Sequence, residues 1–253
     1  MLDIIRIPAF KDNYIWLLRK GASAVVVDPG DARSVLEVLE REGLTLTSIL
    51  ITHHHSDHQG GVAELLVHYP VEVFGPAAES ITGITQPLRG GETISLASLG
   101  AEFKVIAVPG HTLGHLAYYG SGALFCGDTL FCAGCGRLFE GSPLQMHNSL
   151  AQLALLPDQT AVYCAHEYTE ANLRFALAVE PGNRQLLRRV DEVAMARAKG
   201  LATVPSTIEF EKATNPFLRC TEPEVVASVK ARGAQLHSDA EVFTALREWK
   251  NSF

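Results

Sequence analysis

The densest chemistry in the chain lies between residues 49 and 61, which read Ile-Leu-Ile-Thr-His-His-His-Ser-Asp-His-Gln-Gly-Gly. An apolar run leads directly into His53, His55, Asp57 and His58. Imidazole nitrogen and carboxylate oxygen are the donors that zinc, manganese and iron(II) accept. In a loop that continues an extended strand, residues 53 and 55 project to one side, while 57 and 58, past a bend, face a different point. One stretch can therefore serve two ions. A surface histidine tract that binds metal adventitiously is the plainer alternative. The downstream sequence weighs against it, because it supplies further ligands in matching contexts.

Those ligands are His111 in Pro109-Gly-His-Thr-Leu-Gly-His115, Asp128 after Ala123-Leu-Phe-Cys-Gly127, and His166 after Ala161-Val-Tyr-Cys164. With the first cluster they number seven, too many for one ion and right for two if one carboxylate bridges. Two ions about 3.5–4 Å apart share a water, lower its pKa, aim the hydroxide at a carbonyl and stabilise the oxyanion that develops. No nucleophilic side chain is then needed. An amine leaving group would have to be protonated, whereas a thiolate leaves unaided. Of the remaining histidines, His54 should point away from its neighbours' target, and His115 either orients a ligand or is structural. His68, His147 and His237 have no ligand-like context.

The elements that must position these residues alternate in type. Strands are expected at 3–8, 14–19, 24–27 and 48–51, with Lys11-Asp-Asn13 as a turn. Asp31 caps a helix over 32–42 that Gly43 ends, and a short helix follows at 61–68. Further strands are expected at 71–74, 92–96, 103–108, 116–119, 123–126 and 161–164, with a helix over 144–155. This rhythm predicts strands sandwiched by helices. Four strands then end in four ligand-rich turns, and loops at the ends of strands on a rigid sheet are where catalytic groups are usually placed. Helices are predicted over 169–180, 183–199, 222–232 and 239–250, with 203–219 as an irregular connector. The domain boundary is expected between 1–168 and 169–253.

Composition narrows the class. Of 253 residues, 47% are hydrophobic and 19% charged, and the net charge is −7. That balance leaves no basic field for nucleic acid or an anionic membrane. No apolar run approaches the ~18 residues of a membrane span, and the N-terminus lacks a secretory pattern. Five cysteines, an odd count, fit reduced thiols and a cytoplasmic setting. Cys132-Ala-Gly-Cys135 has redox or zinc spacing, but no second pair exists and its glycines suggest a tight loop. Nothing demands more than a monomer.

The pattern His53-x-His55-x-Asp57-His58, with His111, Asp128 and His166 downstream, resembles the metallo-β-lactamase superfamily. That resemblance implies an α+β chain, an αββα sandwich followed by a small helical domain. Asp12-Asn-Tyr14, Gly134-Cys-Gly-Arg-Leu-Phe-Glu-Gly141, His166-Glu-Tyr-Thr169, Asn215-Pro-Phe217 and Arg247-Glu-Trp-Lys250 are similar to the glyoxalase II (hydroxyacylglutathione hydrolase) family. It implies hydrolysis of S-D-lactoylglutathione to D-lactate and glutathione, the step that completes methylglyoxal detoxification. By the same resemblance His53, His55 and His111 hold one divalent metal, and Asp57, His58 and His166 the second. Asp128 bridges them, and Asp57 and Asp128 serve the catalysis. Zinc is the first expectation, iron or manganese the alternatives. Arg137, Tyr168, Arg247 and Lys250 would grip glutathione, whose carboxylates suit Arg and Lys. On spacing alone, Arg247 and Lys250 would be a solvated helix end. Phe139 stands in the substrate loop where some members carry Tyr, and Asn251 replaces an acidic residue. The rivals are a single-iron glutathione persulfide dioxygenase and a lactonase-type metallohydrolase of the same fold.

Overall fold

The computed structural model describes residues 2–253. Strands β1 (Asp3–Ala9), β2 (Asn13–Lys20) and β3 (Ser23–Val27) form an antiparallel meander. Helix α1 (Ala32–Glu42) then crosses to β4 (Thr45–Leu50), which runs parallel to β3. The Asp31 carboxylate accepts the Ser34 N–H at the start of α1, and Gly43, with φ 63°, ends it. A single helical turn, α2 (Ser56–Gln59), and a short helix, α3 (Val62–His68), lead to β5 (Glu72–Pro76) and β6 (Gln86–Leu88). These complete a six-stranded sheet in sequence order.

The second sheet contains β7 (Thr93–Leu96), β8 (Ala101–Ala107), β9 (Leu116–Gly120) and β10 (Ala123–Gly127). A small hairpin, β11 (Leu130–Phe131) and β12 (Gly134–Cys135), and helix α4 (Pro143–Ala154) precede its fifth strand, β13 (Ala161–Cys164). Helices α5 (Thr169–Val179) and α6 (Arg184–Ala198) follow. The segment expected to be an irregular connector is instead ordered: β14 (Ser206–Thr207) pairs with β13, then come α7 (Ile208–Thr214) and a 3₁₀ turn at Pro216–Leu218. Helices α8 (Pro223–Lys230) and α9 (Asp239–Ser252) close the described chain.

Strand alternation explains the layers. Along β2, Tyr14, Trp16 and Leu18 face the other sheet, joining Phe103, Val105, Tyr118 and Phe125 in the main core. Ile15 and Leu17 point the other way, into a core shared with Val35 and Leu39 of α1 and Leu65 of α3. The helical C-terminal part adds Phe175, Phe217 and Phe243 to the main core, so it packs against the sandwich through a continuous apolar interior. Among the described residues no helix is long and apolar enough to cross a membrane.

The two sheets meet at one end through backbone bonds. Leu116 N–H donates to Thr52 O (2.9 Å), Tyr14 N–H to Ala165 O (2.7 Å) and Glu167 N–H to Asp12 O (2.9 Å). These ties bring the ends of β4, β8, β10 and β13 to one edge, and with them the four ligand-rich turns.

Candidate dinuclear metal centre

Each predicted ligand sits just past a strand end at that edge. Donor atoms of His53, His55 and His111 lie within 4.8 Å of one another, as do those of Asp57, His58 and His166. Asp128 lies between the two groups. Its Oδ1 is 3.4 Å from His58 Nε2 and 3.3 Å from His166 Nε2, whereas Oδ2 is 3.4 Å from His111 Nε2. One carboxylate thus presents an oxygen to each triad. The bend anticipated after His55 is the helical turn α2, with His55 as its cap residue.

The rear of each ring is held. Thr52 Oγ1 lies 3.0 Å from His53 Nδ1, Asp28 Oδ2 3.0 Å from His58 Nδ1, Arg137 O 2.7 Å from His111 Nδ1, and Asp12 Oδ1 2.9 Å from His166 Nδ1. Acceptors at Nδ1 assign that nitrogen the proton and leave Nε2 as the lone pair facing inward. His55 is the exception: its Nδ1 converges on His53 Nε2 (3.1 Å) and His111 Nε2 (3.0 Å). Asn13 Nδ2 donates to Asp57 Oδ2 at 2.9 Å and fixes that carboxylate.

Asp28 among these supports carried no signal beyond its position at a strand end. Asp28, buried and in the left-handed region with φ 52°, accepts both the N–H and the hydroxyl of Thr52 at 2.7 Å. His115, for which two roles were open, accepts the Asp128 N–H at 3.1 Å and stacks on His53 with centroids 4.6 Å apart. Its geometry is that of an orienting residue. His54 turns away to Glu140 (2.6 Å). Glu140 also accepts the Leu113 N–H, and Glu79 accepts from Thr112 and Gly114, so these carboxylates fasten the His111 loop.

The electrostatics favour positive charge at the centre. Burial alone would depress His58, but Asp128, Asp28 and Asp57 raise it to about 9. Burial likewise opposes charge on Asp128, yet His58, His166 and His111 hold its carboxyl far below the usual range. Full burial and neighbouring imidazoles keep His53 well below its ordinary value. A proton or a metal ion answers the same field. His58 Nε2 and Asp128 Oδ1 are buried without a hydrogen-bond partner, a costly state for such atoms. Nitrogen and oxygen donors in two converging groups fit a pair of divalent ions, with no thiolate among them.

A cavity of about 400 Å³ opens from His111 and Asp128 and reaches Tyr168, Asn172, Arg247 and Lys250. Tyr168 stacks on His166 (centroids 4.7 Å, planes 5° apart), and exposed Phe139 meets His55 and His111 edge-on at 5.5 and 5.2 Å. The Arg137 side chain is exposed at the rim. Arg247 is not a solvated helix end: it is 5% exposed, with Nη1 donating to Cys135 O at 3.1 Å and Nε buried without a partner. Lys250 Nζ donates to Ala171 O (3.2 Å) and lies 4.9 Å from the Phe175 ring centre. Cys132 and Cys135 are buried free thiols on the small hairpin.

Comparison with known proteins agrees with this architecture. Residues 10–166 match the model of the metallo-beta-lactamase superfamily, and residues 167–253 the model described as hydroxyacylglutathione hydrolase C-terminus. Proteins named hydroxyacylglutathione hydrolase from Dechloromonas aromatica and Photobacterium profundum are 59% and 56% identical, with all of each chain covered. The fold is shared with a B3 metallo-beta-lactamase, BLEG-1 (TM-score 0.65, 24% identity, 85% of this chain and 99% of that one). It is shared equally with ETHE1 from Myxococcus xanthus (TM-score 0.66, 24% identity, 100% and 99% covered). A structure named TTHA1623, solved in a di-iron-bound form, aligns at TM-score 0.60 and 25% identity over 85% of this chain and all of that one.

Proposed function

The chain belongs to the hydroxyacylglutathione hydrolase family of the metallo-beta-lactamase superfamily, and from that membership we propose that it hydrolyses S-D-lactoylglutathione to D-lactate and glutathione. The observation that carries this reading is Asp128, one oxygen facing each triad, in a cavity that Arg247 and Lys250 also line. His53, His55 and His111 would hold one divalent ion and Asp57, His58 and His166 the other, with Asp128 between. Two ions so held supply a water of lowered pKa and positive charge opposite the developing oxyanion. Zinc suits the donors; iron is supported by the di-iron form of the similar structure.

The chain's own groups do the remaining work. Asp57, fixed by Asn13, directs one oxygen into the centre, where it would accept a hydrogen bond from the attacking hydroxide. Lys250 and Arg247 place cationic groups where the carboxylates of glutathione would lie. The Tyr168 ring, flat on His166, forms one wall between them and the metals, and Phe139 forms the other.

A single-iron persulfide dioxygenase would need only part of this ligand set, and the full-length relatives carry the hydrolase name. The test is loss of thioester absorbance with S-D-lactoylglutathione by metal-replete protein. Intact thioester would reject the assignment.

A further inference from the structure

Residues 131–136 turn through the small β11–β12 hairpin, and beyond the hairpin's own pairing their backbone is held by side chains of the helical C-terminal part. Asn215 Nδ2 donates to Phe131 O (3.2 Å) and Gly134 O (2.9 Å). Asn172 Nδ2 donates to Cys132 O (3.0 Å), and Arg247 Nη1 to Cys135 O and Gly136 O (3.1 and 3.4 Å). Glu211 Oε2 accepts the Ala133 N–H at 2.7 Å, and Ala133 has φ 56°, a conformation that a non-glycine residue keeps when its surroundings impose it.

The Glu211 carboxylate is fully buried and also accepts from Arg189 (2.6 Å), Ser206 (2.5 Å) and Asn215 (3.0 Å). A buried network this completely satisfied is stiff. The turn in turn abuts the metal centre. Gly136 N–H donates to Thr129 O (3.2 Å), and a Cβ at Gly136 would fall 1.9 Å from Asp128 O and 3.2 Å from His111 Nδ1. The next residue's carbonyl, Arg137 O, holds His111 Nδ1.

We propose that Asn215, with Glu211 and Arg189 behind it, is a positioning residue for the metal centre, setting Asp128 and His111 through the 131–136 turn. The helical part then shapes the metal site as well as lining the substrate cavity. This inference rests on the dinuclear reading above.

The test is metal titration of stripped full-length protein with zinc(II) and with cobalt(II), the latter followed by its visible absorption. In Asn215→Asp the Oδ1 acceptor for Phe217 N–H is kept, while the donor to three acceptors becomes a charge. Asn215→Ala deletes the donor without adding charge and serves if the first variant does not fold. Val35→Ala, in the core behind the first sheet, controls for stability loss alone. The expected result is that the Asn215 variants bind one ion roughly 10–100-fold more weakly, with a changed cobalt spectrum and reduced kcat at little-changed KM. Val35→Ala should match wild type in all three. Folded Asn215 variants that take up two ions with wild-type affinity and spectrum overturn the inference. Wild type that takes up fewer than two ions overturns the dinuclear reading beneath it, and the inference with it.

Discussion

Asp12 Oδ1 lies 2.9 Å from His166 Nδ1, across 154 residues of sequence. The contact exists because the β1–β2 turn is bonded to the end of β13, through Tyr14 N–H to Ala165 O and Glu167 N–H to Asp12 O. Asp12 fixes the tautomer of His166 and turns Nε2 toward Asp57 and Asp128. Removing it with Asp12→Ala should weaken binding of the ion proposed for Asp57, His58 and His166 by roughly 10–100-fold. Competition with a chromophoric chelator would measure this, and unchanged affinity would show that His166 is oriented by packing against Tyr168 alone.

Asp128→Ala removes the carboxylate common to both triads. Withdrawing a group that organises both ions forfeits several kcal/mol of transition-state stabilisation, so kcat should fall on the order of 10³-fold. Lys250→Ala, by contrast, should raise KM for the glutathione thioester and leave kcat close to wild type, because Lys250 lines the cavity but belongs to neither group of candidate metal donors. Steady-state kinetics on the two variants separates chemistry from grip. Equal effects on kcat would remove Lys250 from the clamp.

The sequence made the ends of strands legible and the polar interior opaque. Asp31 and Gly43 bound α1 as their types predict, and the candidate metal donors stand out because histidine and aspartate recur at strand ends. Helix α7 was hidden for a physical reason: its buried face is Ile208, Glu211 and Thr214, so apolar periodicity is missing. Those polar residues point inward to hold a turn rather than to fill a core. α2 spans four residues, too few to show any period. Asp28 looks in sequence like an ordinary turn residue, and although Asp12 and Asn13 belong to a family-like pattern, only the pairing of the two sheets shows what the three hold.

Lys250 gives the proposed clamp a pH signature. Burial, then the neighbouring Arg247 charge, lowers its pKa to about 8. Below that pH the ammonium is charged and attracts a carboxylate; above it the charge is lost. KM should therefore rise as pH passes upward through about 8, with kcat less affected. In Lys250→Arg the guanidinium stays charged across this range, so the rise should vanish. A wild-type KM that is flat from pH 7 to 9, an interval of about one unit either side of the shifted value, would exclude Lys250 from carboxylate binding.

Phe139 sits at the mouth of the cavity. It is 63% exposed and presents its ring to His55 and His111 at the cavity mouth. An exposed ring contributes little to folding, so Phe139→Tyr should leave the melting temperature unchanged. The added hydroxyl supplies one donor beside the bound thioester. A single neutral hydrogen bond contributes about 0.5–1.5 kcal/mol, which predicts a KM lowered by roughly 2–10-fold. Because the hydroxyl lies on the substrate side of the ligands and donates to none of them, kcat should not change. Parallel kinetics of the two proteins decides the matter: a lower kcat would mean that the ring packs on His55 and His111 to orient them, and that its role is with the ligands rather than the substrate.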